Sequence, residues 1–449
     1  MSDFRLIPNA DLRGIASAGN KFSKVEHAVS VAKSRKGIEV IVEKDGLYSL
    51  YEPLGKDTAN IKTLAKQSDL KILKLVDANN TVTNIKKETP SVDNSTPTNA
   101  SKNIAPKFSY SSVINTPNKN IAYTSNTKIM LNDKEFKISG LNVYDLANVS
   151  DGSQQELEKT LKTIADSGAN TVRFWAFSSH NPDTFANIFD TSKKMGLDLK
   201  FIPVLGNQWK DMEATAGNFT KKDDWYKQGY KKDYLPHALE TVRSMINRDE
   251  VLMIELMNEP EANHSALKNF ANTVSTAIKN EYKEYEKQTG NKTAKHLISL
   301  GTLGGEGRNG MAGSDYKDLY SLPNIDVVTA HDYSLDDKQS KENTIAPIFK
   351  EYINTAKQLN KPFFVGEIGV KVRKDGVENF GMPIRTNEKA LEIMDKKMKL
   401  YNDKNISGVL LWGPQPAGHG VDGAGYGFSY SNGDKTQNAL RKIFSEIHP

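Results

Sequence analysis

The 449-residue chain contains no cysteine. That excludes disulfides, thiolate metal sites and cysteine nucleophiles, and leaves the compartment open. Long hydrophobic runs are missing too. No stretch approaches the roughly 18 apolar residues that span a bilayer. The first 20 residues, Met1 to Asn20, lack the apolar core of a secretory signal. The expectation is a protein made soluble, with no membrane partner and no secretion by that route. Excess charge of one sign is small, at +5 net. Residues 1–108 hold 17 Lys+Arg against 12 Asp+Glu, and residues 109–449 hold 43 of each. The excess is scattered, with no run longer than Lys86-Lys87 in the N-terminal part. A solvated surface explains it better than a nucleic-acid face, so no nucleic-acid partner is expected.

What is present fits a polar globular protein: 37% hydrophobic and 26% charged residues. The length exceeds one ordinary core, so two domains are predicted, one of a size that suits a parallel α/β barrel. Val25, Ala28, Val29 and Ala32 fall at helical spacing. Ile38–Glu43, the turn pair Asp45-Gly46 and Leu47–Tyr51 read as a β-hairpin. The order recurs with Ile61, Leu64 and Ala65, then Ile72–Val76, Asn79-Asn80 and Thr81–Thr83. Residues 1–87 are thus predicted to form a small α+β domain with no catalytic constellation. Docking or attachment to a protein assembly partner is one reading of it, and a bland folding or spacer role is the other. Residues 88–108, rich in Ser, Thr, Asn and Pro around Glu88–Ser101, read as a flexible linker.

Residues 109–449 carry a different pattern. Ile129–Leu131, Asn132-Asp133 and Phe136–Ile138 read as a hairpin placed as a plug under a barrel. Eight strand candidates follow: Gly140–Tyr144, Thr171–Trp175, Lys200–Leu205, Val251–Met257, Leu297–Leu300, Ile325–Thr329, Pro362–Gly366 and Gly408–Trp412. Helical stretches separate them, such as Gln154–Ala165 with Leu157, Leu161 and Ile164 on one face. Strands alternating with helices eight times are the signature of a (β/α)8 TIM barrel, of the α/β class.

In such a barrel, chemistry collects at the C-terminal ends of the strands. Two apolar strand candidates end in a glutamate. Glu259 follows Asn258 and precedes Pro260, which stops the ladder and fixes the turn. Glu367 stands between Gly366 and Gly369, whose small size suits close approach of a ligand. Two carboxylates brought together are the minimum equipment for cleaving a glycosidic bond. Taken singly, Glu259 could cap the following helix and Glu367 could be a cap or an ion-pair partner. Placed together at strand ends, both bland readings weaken. Other strand ends supply partners: Arg173 and Trp175 end the second strand, His331-Asp332-Tyr333 ends the sixth, and Trp412 ends the eighth. A buried Arg would keep a neighbouring carboxylate ionised. Asn258 offers donors to a sugar hydroxyl, and Trp412 offers a face to a pyranose ring. His331 alone would more often be a satisfied core histidine, and Trp412 alone could be core packing.

These residues carry a resemblance. From about residue 128 the chain resembles the family 5 glycoside hydrolases. The matching elements, in order, are Gly140-Leu-Asn142, Val172-Arg173-Phe174, Glu255-Leu-Met-Asn258-Glu259-Pro260, His331-Asp-Tyr333, Gly366-Glu367-Ile-Gly369 and Leu411-Trp412. Asn207-Gln-Trp209, Asn247-Arg248 and Gly304-Gly-Glu306-Gly307 are similar to the endo-β-1,4-mannanase branch. The chain departs from that branch at Tyr333-Ser-Leu-Asp336, which lacks a Trp, and at Ile254-Glu255, where the branch has Trp-Glu. The resemblance does not reach residues 1–108.

The resemblance implies a retaining endo-β-glycosidase acting on a polysaccharide, mannan or glucomannan first, with Glu259 as acid/base and Glu367 as nucleophile. It implies Arg173, Trp175, Asn207, Trp209, Asn258, His331, Tyr333 and Trp412 as substrate-binding or supporting residues, and no metal or organic cofactor. Arg173 and Tyr333 are expected to keep Glu367 ionised, and Glu259 to begin protonated. The alternatives are a β-1,4-glucanase or a glycan-binding structural component, for example of a virus particle. Without a signal peptide, the expected routes to an extracellular polysaccharide are release on lysis or carriage on such a particle.

Overall fold

The computed structural model describes residues 4–6, 32, 39–44, 47–53, 72–76, 82–84, 121–208, 219–232, 234–304, 313–335, 341–373, 384–420 and 425–447. The chain divides into two compact units, Met1–Pro106 and Lys107–Pro449. The first contains an antiparallel sheet of β1 (Phe4–Leu6), β2 (Glu39–Lys44), β3 (Leu47–Pro53), β4 (Ile72–Val76) and β5 (Val82–Asn84), in the order β1-β3-β2-β4-β5. The two expected hairpins are β2–β3 and β4–β5. They fuse through β2 and β4, and β1 adds an edge that the sequence did not announce. Val40, Ile41 and Val42 are all buried, so β2 is covered on both faces. Of Val25, Ala28, Val29 and Ala32, which fall at helical spacing, only Ala32 is described, and it is helical. The helix expected around Ile61–Ala65 and the linker 88–108 lie outside the described residues.

Among the described residues, the second unit starts with three short antiparallel strands, β6 (Tyr123–Ser125), β7 (Lys128–Leu131) and β8 (Lys134–Glu135). Ile129 on β7 joins Ala122, Ile138, Ile202, Met253, Val327, Phe364 and Leu410 in one buried cluster. Apart from Ala122, these side chains come from barrel strands or the bridge that closes the ring, so the hairpin closes the barrel floor. Burying Ile129 and Ile138 fully stabilises that floor by roughly 1.5–3 kcal/mol each. Ile138 itself belongs to the first barrel strand, not to the hairpin.

The barrel strands are β9 (Ile138–Asn142), β10 (Thr171–Trp175), β11 (Lys200–Val204), β12 (Met253–Glu255), β13 (Leu297–Ser299), β14 (Val328–Asp332), β15 (Phe363–Gly369) and β16 (Gly408–Trp412). They pair in parallel in the order β13-β12-β11-β10-β9-β16-β15-β14, and a parallel bridge between Ser299 and Val327 closes the ring. A further parallel pair, β17 (Pro414–Pro416) and β18 (Phe428–Tyr430), follows the last barrel strand. Around the barrel run α1 (Leu146–Gly152), α2 (Gln154–Asp166), α3 (Pro182–Lys194), α4 (Phe219–Lys227), α5 (Tyr234–Met245), α6 (His264–Thr289), α7 (Gly313–Tyr320), α8 (Pro347–Gln358), α9 (Asn387–Asn402) and α10 (Lys435–Ser445). Local sequence explains their ends. Ser153 caps α2 by accepting from the Glu156 amide, and Asn181-Pro182 starts α3 with an amide cap and a proline at the first position. Leu157, Leu161 and Ile164 form the buried face of α2, as the periodicity predicts.

Three strand boundaries differ from the sequence reading, and each difference moves a functional residue. β14 starts three residues later than expected, because Asp326 and Val327 are spent closing the ring on Ile298. His331 and Asp332 therefore lie within β14, not after it. β15 runs on to Gly369, so Glu367 is inside a strand. β12 ends early at Glu255, and Glu259 stands four residues beyond it. No described helix is long and apolar enough to cross a membrane.

Candidate active site

Arg173 organises the site. It lies in the middle of β10, fully buried. All five of its N–H groups are committed. Nε and Nη2 reach Glu255 Oε1 at 2.9 and 2.5 Å. Nη1 reaches Asn142 Oδ1 at 2.9 Å and Glu367 Oε1 at 2.7 Å. The second Nη2 hydrogen goes to Asn258 Oδ1 at 2.8 Å. The planar fork thus ties four strands, β9, β10, β12 and β15, at one level of the barrel.

Glu367 accepts on both oxygens. Oε1 takes Arg173, and Oε2 takes the Tyr333 hydroxyl at 2.6 Å. β15 carries one extra residue against each neighbour: Ala330 and His331 of β14 face Val365 and Glu367, and Val409 and Leu411 of β16 face Val365 and Ile368. Such irregularities re-aim side chains at barrel rims. The flanking glycines serve the site's own side chains, not an incoming ligand as the sequence suggested. A Cβ on Gly366 would stand 2.8 Å from His331 Nε2, and one on Gly369 would stand 2.3 Å from the Tyr333 ring. Burial pushes the Glu367 carboxyl up from its ordinary value. His331, Arg173 and the Tyr333 hydrogen bond pull it back, and Glu259 adds to the rise. Arg173 and Tyr333 support the ionised form as expected, but burial outweighs them. Tyr333 is held well above its ordinary value by burial and by Glu367, so it stays a donor.

Glu259 is placed by backbone. The Asn258 amide donates to Gly206 O at 2.7 Å, and the Glu259 amide donates to Gly301 O at 2.8 Å. Between them Glu259 adopts φ 51°, a left-handed conformation uncommon for a side-chain-bearing residue. Such outliers persist where surrounding structure holds them and cluster at functional sites. Asn263, not Glu259, caps α6. Glu259 Oε1 meets His331 Nδ1 at 2.8 Å, and His331 Nδ1 lies 3.5 Å from Glu367 Oε1. One oxygen of each glutamate and a ring nitrogen of His331 all lie within 4.8 Å of one another.

Burial lowers the His331 pKa to about 4, with Arg173 also lowering it against Glu367 and Glu255. The imidazole is neutral at neutral pH. Its Nε2 is buried without a hydrogen-bond partner among the described residues. A hydrogen there would be an orphaned donor, so we assign the hydrogen to Nδ1, donating to Glu259 Oε1.

The aromatic side chains form a wall. Trp412, at the end of β16, stacks on Tyr144 at 5.6 Å and lies 5.9 Å from Trp175. Trp175 stacks on Phe177 at 5.4 Å, and the Arg173 guanidinium lies 4.9 Å over the Trp175 ring. Asn258 Nδ2 donates to Asn207 Oδ1 at 3.1 Å. The Asn258 amide is therefore engaged by Arg173 and Asn207 on the protein side. Trp209 lies outside the described residues. Of the expected site residues, Glu259, Glu367, Arg173, Asn258, His331 and Tyr333 converge in one network. Asn207 joins it at one edge, and Trp175 and Trp412 line it. Sequence reasoning missed Asn142 and Glu255 as site members, although both stand in quoted motifs at strand ends. It also missed Tyr144 and Phe177, which only the ring contacts reveal.

Comparison with known proteins places this geometry. The family model for cellulase (glycosyl hydrolase family 5) matches residues 130–413. The rice protein "Mannan endo-1,4-beta-mannosidase 8" (Oryza sativa subsp. japonica) is 25% identical over 374 residues, covering 70% of this chain and 96% of that one. "Mannan endo-1,4-beta-mannosidase 7" of Arabidopsis thaliana is 23% identical over 393 residues, covering 74% and 88%. The solved endo-1,4-beta-mannanase of Rhizomucor miehei matches with a TM-score of 0.55 at 17% identity, over 73% of this chain and 99% of that chain, a likeness of fold.

Proposed function

The chain belongs to glycosyl hydrolase family 5, and we propose that it is a retaining endo-β-1,4-mannanase that works by double displacement. The observation that carries the reading is the assignment of Arg173's hydrogens. Two carboxylates share the cation, and Glu259 receives none of its five N–H groups. Glu367, inside the fork, is the carboxylate suited to be nucleophile. Glu259, outside it and hydrogen-bonded to a neutral His331, is the group suited to hold a proton. The spacing supports retention. Retaining pairs lie about 5–5.5 Å apart and inverting pairs about 6.5–9.5 Å, and the nearest atoms here fall within 4.8 Å.

In the first step Glu367 attacks the anomeric carbon as the glycosidic C–O bond breaks, and Glu259 gives its proton to the departing oxygen. In the second, Glu259 takes a proton from water as that water attacks the same carbon and frees Glu367. Tyr333 and Arg173 hold the two Glu367 oxygens through the cycle. The aromatic wall of Trp412, Trp175 and Tyr144 offers a surface to sugar C–H faces. The choice of mannan rests on the plant relatives, whose names state that linkage. A β-1,4-glucanase is the second reading, favoured by the cellulase description of the matching family model. Reducing ends released from mannan, glucomannan, cellulose and xylan decide between them. Mannan and glucomannan are expected to be cut fastest; cellulose cut in preference to mannan would replace the proposal with the glucanase.

A further inference from the structure

Glu255 does not belong to the mechanism just described, yet it holds Arg173 more fully than Glu367 does. It is the last residue of β12, with a side chain that is 0% exposed. A single oxygen, Oε1, takes both Nε and Nη2 of Arg173. The other, Oε2, is buried with no hydrogen-bond partner among the described residues. A buried ion pair with a wasted oxygen is poor design for stability alone, since apolar packing commonly does as well. Touching no solvent, Glu255 does not meet substrate. What it does touch is the cation that faces the nucleophile.

We propose that Glu255 is a positioning residue for Glu367: it fixes the plane of Arg173 and takes up part of its charge, so that Glu367 is oriented without being locked in a full ion pair. The proposal rests on the reading of Glu367 as nucleophile. The titratable groups facing Glu367 are Arg173 from β10, Glu259 after β12, and His331 and Tyr333 at the end of β14. Those facing Glu255 are Arg173, His331 and Tyr320 of α7. His331 is neutral near neutral pH and Tyr320 is a protonated phenol, so the charge competition there is between Glu255 and Glu367 for one guanidinium. A carboxylate that gains the whole cation ionises more readily and attacks carbon less readily.

Glu255→Gln tests this, because the amide oxygen can still accept from Nε and Nη2 while the charge is gone. The probe is a 2-deoxy-2-fluoro-β-glycosyl fluoride of the sugar that the wild type hydrolyses, which traps the nucleophile covalently and reads the first step alone. Its inactivation rate is measured against pH, and the labelled peptide is identified by mass spectrometry. In the wild type the label is expected on Glu367. In Glu255→Gln the acid limb is expected to move down by about one pH unit, a tenfold change in the ionisation equilibrium. The maximal inactivation rate should fall about tenfold or more, with the concentration dependence unchanged. The same loss of rate with the acid limb in place, or moved up, would make Glu255 merely structural and overturn the inference. Should Glu255→Gln not fold, Glu255→Asp draws the carboxylate back from Arg173, and its limb must still move down by a smaller step; an unmoved limb overturns the inference. A wild-type label on a residue other than Glu367 is a different failure, that of the nucleophile assignment itself.

Discussion

Replacing Arg173 with lysine keeps the charge and removes the fork. The guanidinium reaches from Glu255 on one side of the barrel to Glu367 on the other, with Asn142 and Asn258 between. A lysine has three hydrogens on one nitrogen and cannot serve both carboxylates at these distances. At least two of the five hydrogen bonds are lost, both to or from charged groups. Each is worth about 1.5–3 kcal/mol, so the total is about 3–6 kcal/mol. The lower end, expressed in the transition state, is on the order of a hundredfold in kcat. The pH profile has a sign as well. Burial already holds the Glu367 carboxyl up, and Arg173 is among the groups drawing it down. With that pull weakened, the acid limb of kcat/KM must move to higher pH, opposite to the shift expected for Glu255→Gln. The assay is hydrolysis rate across pH, with circular dichroism to establish folding. A folded Arg173→Lys enzyme with unchanged rate and limb would refute the reasoning and leave Tyr333 as the support of the nucleophile.

Glu259→Gln and Glu367→Gln should each fold and lose several orders of magnitude in turnover; near-normal turnover in either would remove that residue from the mechanism. Products followed by NMR from the first seconds should show the β-anomer first, and an initial α-anomer would rule out double displacement. A chain lacking residues 1–108 should remain folded and active on soluble substrate, since a polar, proline-containing stretch of that composition marks a domain boundary; loss of cooperative unfolding in the truncation would mean that the first unit supports the barrel. Burial lowers both His331 and His296 to about 4. Below about pH 6.5 the unfolded chain binds protons that the folded chain refuses, so stability should be present at pH 7 and lost as pH falls toward 4, up to about 3 kcal/mol for each histidine. Urea unfolding at pH 7 and 5 checks this, and His296→Gln, outside the site, should flatten the loss; an identical pH slope in that variant would count against it.

Much of the site was legible because barrel chemistry follows a positional rule. Apolar runs of β-branched residues mark strands, and polar residues at their C-terminal ends stand out against that background. Glu259, Arg173, His331 and Trp412 were found that way. The floor hairpin was legible from Asn132-Asp133 between two apolar pairs, and both turn residues adopt positive φ. β1 was not legible, because Phe4–Leu6 is too short to show a period and is specified by its partner β3.

What the sequence hid was register. Apolar content says that Ile325–Thr329 and Pro362–Gly366 are strand-like, but not which residues a closed ring uses for pairing. Ring closure consumed Asp326 and Val327, and an extra residue in β15, set against both neighbouring strands, brought Glu367 opposite His331. Those shifts also reassign the two glycines beside Glu367. In sequence they look like room for a ligand; in three dimensions His331 and Tyr333 take that room. Glu255 was hidden for a related reason. A glutamate four residues before a catalytic candidate, inside an apolar run, reads as one more motif letter. Only the distances to Arg173 reveal that it shares that cation with Glu367. Residue type at a strand end therefore locates the candidate groups, while the balance of charge among them is set by which neighbours the barrel's shear brings to the same level.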